Sequence, residues 1–110
     1  MRSALVVEFK RVVTDVTTGD ATFGSAICSR AKEWCCYAEW GAGTTAGVIT
    51  VESAPYSGYT GTWQSLGTLT WTAASRIDQL NFTGLHGALR FRVSTTVTGG
   101  TVTVWAGGRM

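Results

Sequence analysis

One histidine, three cysteines and seven acidic residues are the first places to look for chemistry in this 110-residue chain. His86 stands before Gly87 in a run that reads as a turn. A hydrolase triad needs a nucleophile and an acid set around the imidazole. The sequence marks neither, so His86 reads as a surface turn residue. Glycoside hydrolysis needs two carboxyl groups facing each other across the scissile bond. Among Glu8, Asp15, Asp20, Glu33, Glu39, Glu52 and Asp78, no two are singled out by their spacing. Cys28, Cys35, Cys36 and His86 would make a four-ligand zinc set. Structural zinc sites, however, are built from knuckles that present paired thiolates from one tight turn. Cys35 and Cys36 are neighbours in an extended run and point to opposite faces. Cys36 therefore reads as a small buried hydrophobe, with a Cys28–Cys36 bridge between neighbouring strands as the alternative. An odd cysteine count leaves at least one thiol free or paired between chains. Gly41-Ala42-Gly43 and Gly107-Gly108 precede no helix that would present amides to a phosphate. The expectation is a chain with no catalytic, metal or cofactor site, one that binds rather than transforms.

Binding chemistry is better represented. The tryptophans are Trp34, Trp40, Trp63, Trp71 and Trp105, and Tyr56 and Tyr59 sit in a glycine-rich run. Such side chains fill cores or interfaces; a platform for stacking on sugar rings is the alternative. Arg90 and Arg92 alternate with Leu89, Phe91 and Val93. They either meet a carboxylate across an interface or lie along a solvated sheet face. Leu5, Val7 and Phe9 share one face of a terminal strand, opposite Glu8 and Lys10. The interface candidates are therefore Leu5, Val7, Phe9, Tyr56, Tyr59, Trp63, Arg90 and Arg92.

The elements that must position these residues are strands. Hydrophobic residues make up 45% and charged residues 15% of the chain, enough for a core and too few charges for a disordered polymer. There are 14 glycines and 1 proline, and Thr and Val dominate the second half, the chemistry of short strands joined by tight turns. Period-two alternation marks Leu5–Val13, a weaker Ala21–Ser29, Trp34–Trp40, Gly47–Glu52, Trp63–Leu66 and Thr68–Trp71 broken at Gly67, then Ile77–Phe82. Leu89–Ser94 and Val102–Val104 read as a hairpin turned at Thr98-Gly99-Gly100. The predicted architecture is all-β: a single β-sandwich or jelly roll of about eight antiparallel strands. An N-terminal strand or arm is expected over 1–16 and the sandwich over 17–110.

A net charge of +2 with scattered Lys and Arg is too weak for a nucleic-acid partner. No apolar run approaches the length that crosses a bilayer, and Ala4–Val7 is too short for a secretory signal. A cytoplasmic origin with free thiols is expected, and Asn81-Phe82-Thr83 reads as a chance sequon.

The stretch from Gly47 to Trp105 resembles small virion proteins of tailed bacteriophages. The runs that carry it are Gly47-Val48-Ile49-Thr50-Val51-Glu52-Ser53-Ala54, Gly61-Thr62-Trp63-Gln64-Ser65-Leu66-Gly67, Leu89-Arg90-Phe91-Arg92-Val93-Ser94 and Thr98-Gly99-Gly100-Thr101-Val102-Thr103-Val104. They cover a little over half of the chain, and residues 1–46 carry no match. The pattern is similar to capsid decoration (cement) proteins and to related head-fibre or tail-adhesin domains. That resemblance implies a homotrimer on the outside of a phage head. It would bind the major capsid protein and bridge coat subunits, without cofactor, nucleic acid or membrane. It implies synthesis in the host cytoplasm and a final place on the virion surface. A tail or fibre adhesin and a carbohydrate-binding sandwich module are the alternatives. Met1–Val16 is the expected segment for reaching the coat or a neighbouring copy by strand addition.

Overall fold

Alternation along Glu33–Trp40 sets the pattern for the whole molecule. Trp34, Cys36, Ala38 and Trp40 are buried, and the residues between them face outward. A computed structural model describes residues 8–16, 22–23 and 32–109, with side chains over 32–108. In chain order the strands are β1 (Glu8–Val16), β2 (Thr22–Phe23), β3 (Glu33–Trp40), β4 (Ala46–Ala54), β5 (Gln64–Thr70), β6 (Ile77–Thr83), β7 (Ala88–Thr98) and β8 (Val102–Arg109). Among the described residues there is no helix, and so none long and apolar enough to cross a membrane.

Two antiparallel sheets result. One runs β8-β3-β6 with β1 paired along β8; the other runs β7-β4-β5 with β2 paired along β7. Their inner faces meet in one core. Cys36, Trp40, Val102 and Val104 come from the first sheet, and Ile49, Val51, Leu69, Phe91 and Val93 from the second. This is the β-sandwich that the alternation predicted. On the side where β5 and β6 meet, the Asp78 carboxylate accepts hydrogen bonds from the Thr70 amide (2.8 Å) and the Gln79 amide (3.0 Å). One edge donor of each sheet is thus satisfied by a charge, which also discourages further strand pairing there.

The sequence-based expectations differ from the structure in four places. The C-terminal pair is not a hairpin: β7 lies in one sheet and β8 in the other. Residues Gly99–Thr101 carry the chain across the sandwich, beside the β3–β4 crossing. Gly41 N donates to Thr101 O (2.7 Å) and Thr45 N to Thr98 O (2.8 Å), so the two crossings support each other. A glycine turn between alternating runs suits a hairpin and a sheet-to-sheet arch equally, and only long-range pairing separates them. Second, β5 runs unbroken through Gly67. Leu80 Cδ1 sits 2.8 Å from where a β-carbon on residue 67 would be, so the glycine admits a neighbour rather than ending a strand. Third, Trp63 precedes β5 instead of starting a strand. Fourth, Glu8–Val16 pairs with β8, so that part of the predicted arm closes the domain's own sheet.

Cys36 and Cys35 point to opposite faces, as neighbours on a strand must. Both are free thiols. Burial, and secondarily the neighbouring Cys35, push the Cys36 thiol from 9.0 up to about 12. Cys35 lies on the outer face, accepting from Gln79 Nε2 at 3.1 Å. Its hydrogen bond with Tyr37 raises that half-buried residue's phenol pKa. In a Cys28→Ser background, Ellman's reagent at pH 8 is expected to label Cys35 and to spare Cys36 until denaturant is added. Equal labelling of both would contradict the assigned faces. Between pH 9 and about 12 the folded chain holds a proton that the unfolded chain has released. The stability contributed by this thiol is therefore complete below pH 9 and declines as the pH rises through that window.

Candidate functional site

The outer face of the β7-β4-β5 sheet carries the most distinctive side-chain chemistry. With Ile49 and Val51 pointing into the core, Thr50, Glu52 and Ala54 project the other way. On β7, Ala88, Arg90 and Arg92 share that outer face, because Leu89, Phe91 and Val93 are buried between them. Strand register then places Glu52 directly opposite Arg90, with Arg92 one diagonal step away opposite Thr50.

The three side chains form one ionic cluster. Arg90 Nε donates to Glu52 Oε1 at 2.6 Å, and Arg92 Nε donates to Oε2 at 3.3 Å. The Glu52 side chain is only 8% exposed, against 26% for Arg90 and 35% for Arg92. The carboxylate is thus held under its two partners, as a desolvated charge requires. The carboxylate expected across an interface is the chain's own. Beside the cluster, Thr50 Oγ1 donates to Ser94 Oγ at 2.7 Å.

The loop between β4 and β5 folds back over the same face. Trp63 packs on Ala54 and Ala88, two small outward residues that leave room for an indole, with Tyr59 against the group. Its Nε1 donates to the Tyr59 carbonyl at 3.0 Å. The Arg90 guanidinium lies 4.4 Å from the Trp63 ring centre, a cation–π contact. Tyr59 meets Trp63 edge-on at 6.4 Å between centroids, and Tyr56 meets Tyr59 at 5.3 Å and 89°. These rings do not lie in one plane, and Trp63 is buried, so they form an aromatic wedge rather than a flat sugar platform. Tyr56, at 58% exposed, is its open end.

The structure therefore brings Tyr56, Tyr59, Trp63, Arg90 and Arg92 into one continuous strip. Phe9 stands elsewhere, in β1 opposite Gly107 on the other sheet. Leu5 and Val7 lie outside the described residues. Sequence reasoning missed Glu52 as the centre of the cluster. Its signal was a charged residue in an otherwise apolar strand, but the cross-strand partner depends on a register that no local pattern reveals.

His86, expected as a surface turn residue, lies half-buried in the β6–β7 turn and is engaged there. Its Nδ1 is hydrogen-bonded to Ser53 Oγ at 2.8 Å, and its Nε2 donates to the Thr83 carbonyl at 3.0 Å. The ring is also edge-on to Phe82 and Trp34. Among the described residues no carboxylate joins this pair, and the contacts tie the β6–β7 turn to β4. Next to it, Ser53, Pro55, Tyr59, Thr62, Gln64 and Leu85 line an open cavity of about 350 Å³. Among the described residues, no three His, Cys, Asp or Glu side chains are grouped so as to hold a metal ion.

Compared with protein-family models and with curated protein sequences, the chain matches none.

Proposed function

We propose that this chain is a structural virion protein of a tailed bacteriophage. In this reading it binds the outer surface of the head as a homotrimeric decoration protein and bridges coat subunits. The observation that carries the reading is the strip Tyr56-Tyr59-Trp63-Arg90-Arg92 on one sheet face. Trp, Tyr and Arg are the residues that dominate binding energy at protein interfaces, and here they are gathered and held by intramolecular contacts before any partner arrives.

The strand order supports the same reading. With β1 and β2 included, we read the orders β1-β8-β3-β6 and β2-β7-β4-β5 as those of an eight-stranded jelly roll. Capsid and lectin domains both use that build, so it narrows the role without choosing it. The chemistry favours assembly over turnover: a core shared by both sheets, a histidine engaged through both ring nitrogens, and a prearranged cationic–aromatic surface. A head surface suits such a protein, because a modest contact repeated over many sites reinforces the shell against internal pressure.

The test is quantitative mass spectrometry of purified virions from a host that carries the gene. Decoration predicts a copy number near that of the coat protein or of its trimers, on full heads. A few copies confined to the tail would replace it with the adhesin reading. Specific glycan-array binding lost in Tyr56→Ala, with no virion association, would replace it with a sugar-binding module.

A further inference from the structure

The charge balance of the strip indicates what it binds. Glu52, Arg90 and Arg92 are the charged side chains of β4, β5 and β7. Among the described residues, two guanidinium groups face one carboxylate, an excess of one positive charge. Both arginines use Nε toward Glu52, and their terminal amino groups have no hydrogen-bond partner among the described residues. Toward the described residues, the planar end of each fork, the part that matches a carboxylate in bidentate geometry, is thus uncommitted.

We propose that this site receives an acidic side chain, Asp or Glu, from a protein partner, held by the terminal amino groups of Arg90 and Arg92. The proposal rests on the assembly reading above and names the chemistry of the partner at that same face. Three features favour it. Glu52 and the Trp63 ring hold Arg90 in place, so little side-chain freedom remains to be lost on binding. Both arginines are half-buried, which strengthens a charge-assisted hydrogen bond relative to a fully solvated pair. Among the described residues the excess positive charge is a single unit beside an aromatic wedge. That suits one carboxylate within a protein surface and is too small for a polyanionic backbone, which needs several cations in a row.

The experiment titrates the full ¹⁵N-labelled chain with capped tetraglutamate and follows the Nε–H resonances of Arg90 and Arg92. Tetraglutamine, tetragalacturonate and inorganic phosphate are the comparison probes. Saturable shifts are expected with tetraglutamate and none with tetraglutamine. Arg92→Gln should weaken binding at least about tenfold. Arg92→Lys, which keeps a cation beside Glu52 but loses the fork, should weaken it several-fold with the amide spectrum preserved. Lys32→Gln, an exposed charge change away from the strip, should leave binding unchanged. Absence of saturation, equal response to tetraglutamine, or tighter binding of galacturonate or phosphate would overturn the proposal. The two readings fail separately. Tetraglutamate binding without virion association would sink the virion reading alone. Virion association that survives Arg90→Gln/Arg92→Gln would sink the carboxylate site alone.

Discussion

Gly87→Ala is expected to destabilise the domain by about 3 kcal/mol, the upper part of the usual range for overpacking. A β-carbon on residue 87 would fall directly on the Pro55 carbonyl and 2.9 Å from the Ala54 carbonyl oxygen. Neither obstacle is a flexible side-chain tip. Both belong to the backbone where β4 leaves its ladder with β7, one step beyond the Ala54–Ala88 pair. The methyl group must therefore separate the β4–β5 loop from the β6–β7 turn. The first carries Tyr56, Tyr59 and Trp63, and the second carries His86. The loss should appear as a drop of about 1–2 M in the urea midpoint at an unchanged slope of about 2 kcal/mol per M. The Trp63 indole resonance should move as well, because Ala54 and Ala88 form its seat. A wild-type midpoint would mean that these backbones do not approach as described, and the β4–β7 register at this end would be wrong.

Trp40→Ala should have the largest effect of any single truncation, about 3–5 kcal/mol. Trp40 is fully buried at the end of β3, packed among residues of both sheets. Removing the indole leaves a cavity that the surrounding strands relax into only partly. Its backbone is anchored too, with Trp40 N donating to Arg76 O at 2.7 Å and Arg76 Nε donating to Trp40 O at 3.2 Å. The site therefore cannot collapse by sliding the strand end. A loss of this size consumes much of the stability of a typical domain. Trp105→Ala is the matched control. Trp105 stands on the outer face opposite Tyr37 and is half-buried, so its removal should cost less than half as much. Comparable losses in the two variants would show that the inward and outward faces have been misassigned. Urea unfolding followed by circular dichroism measures both without relying on the fluorescence of the residues removed.

The periods along the chain were enough to establish which residues alternate. Trp34-Cys36-Ala38-Trp40 against Cys35-Tyr37-Glu39 was legible because side chains on a strand change face at every step. The same held for Leu89-Phe91-Val93 against Arg90-Arg92, and the all-β class followed from these runs and the glycine turns. Trp63 was misread for a local reason: its short run looks like a strand, while in the structure it lies over Ala54 and Ala88 and donates back to Tyr59. The hairpin at Gly99-Gly100 was misread for a non-local one, because the partners of β7 in β4 and of β8 in β3 lie far away along the chain, none nearer than the Ala54–Ala88 pair.

By itself, then, the sequence determined that the chain builds strands and which side chains turn inward along Trp34–Trp40 and Leu89–Val93. Tertiary structure alone decided which strands share a sheet, that Glu52 sits beneath Arg90 and Arg92, and that Tyr56, Tyr59 and Trp63 join them on one face. The division has a physical cause. Face alternation is a property of neighbouring peptide units, whereas pairing and register come from the joint packing of distant segments, whose free energy no short stretch of sequence contains.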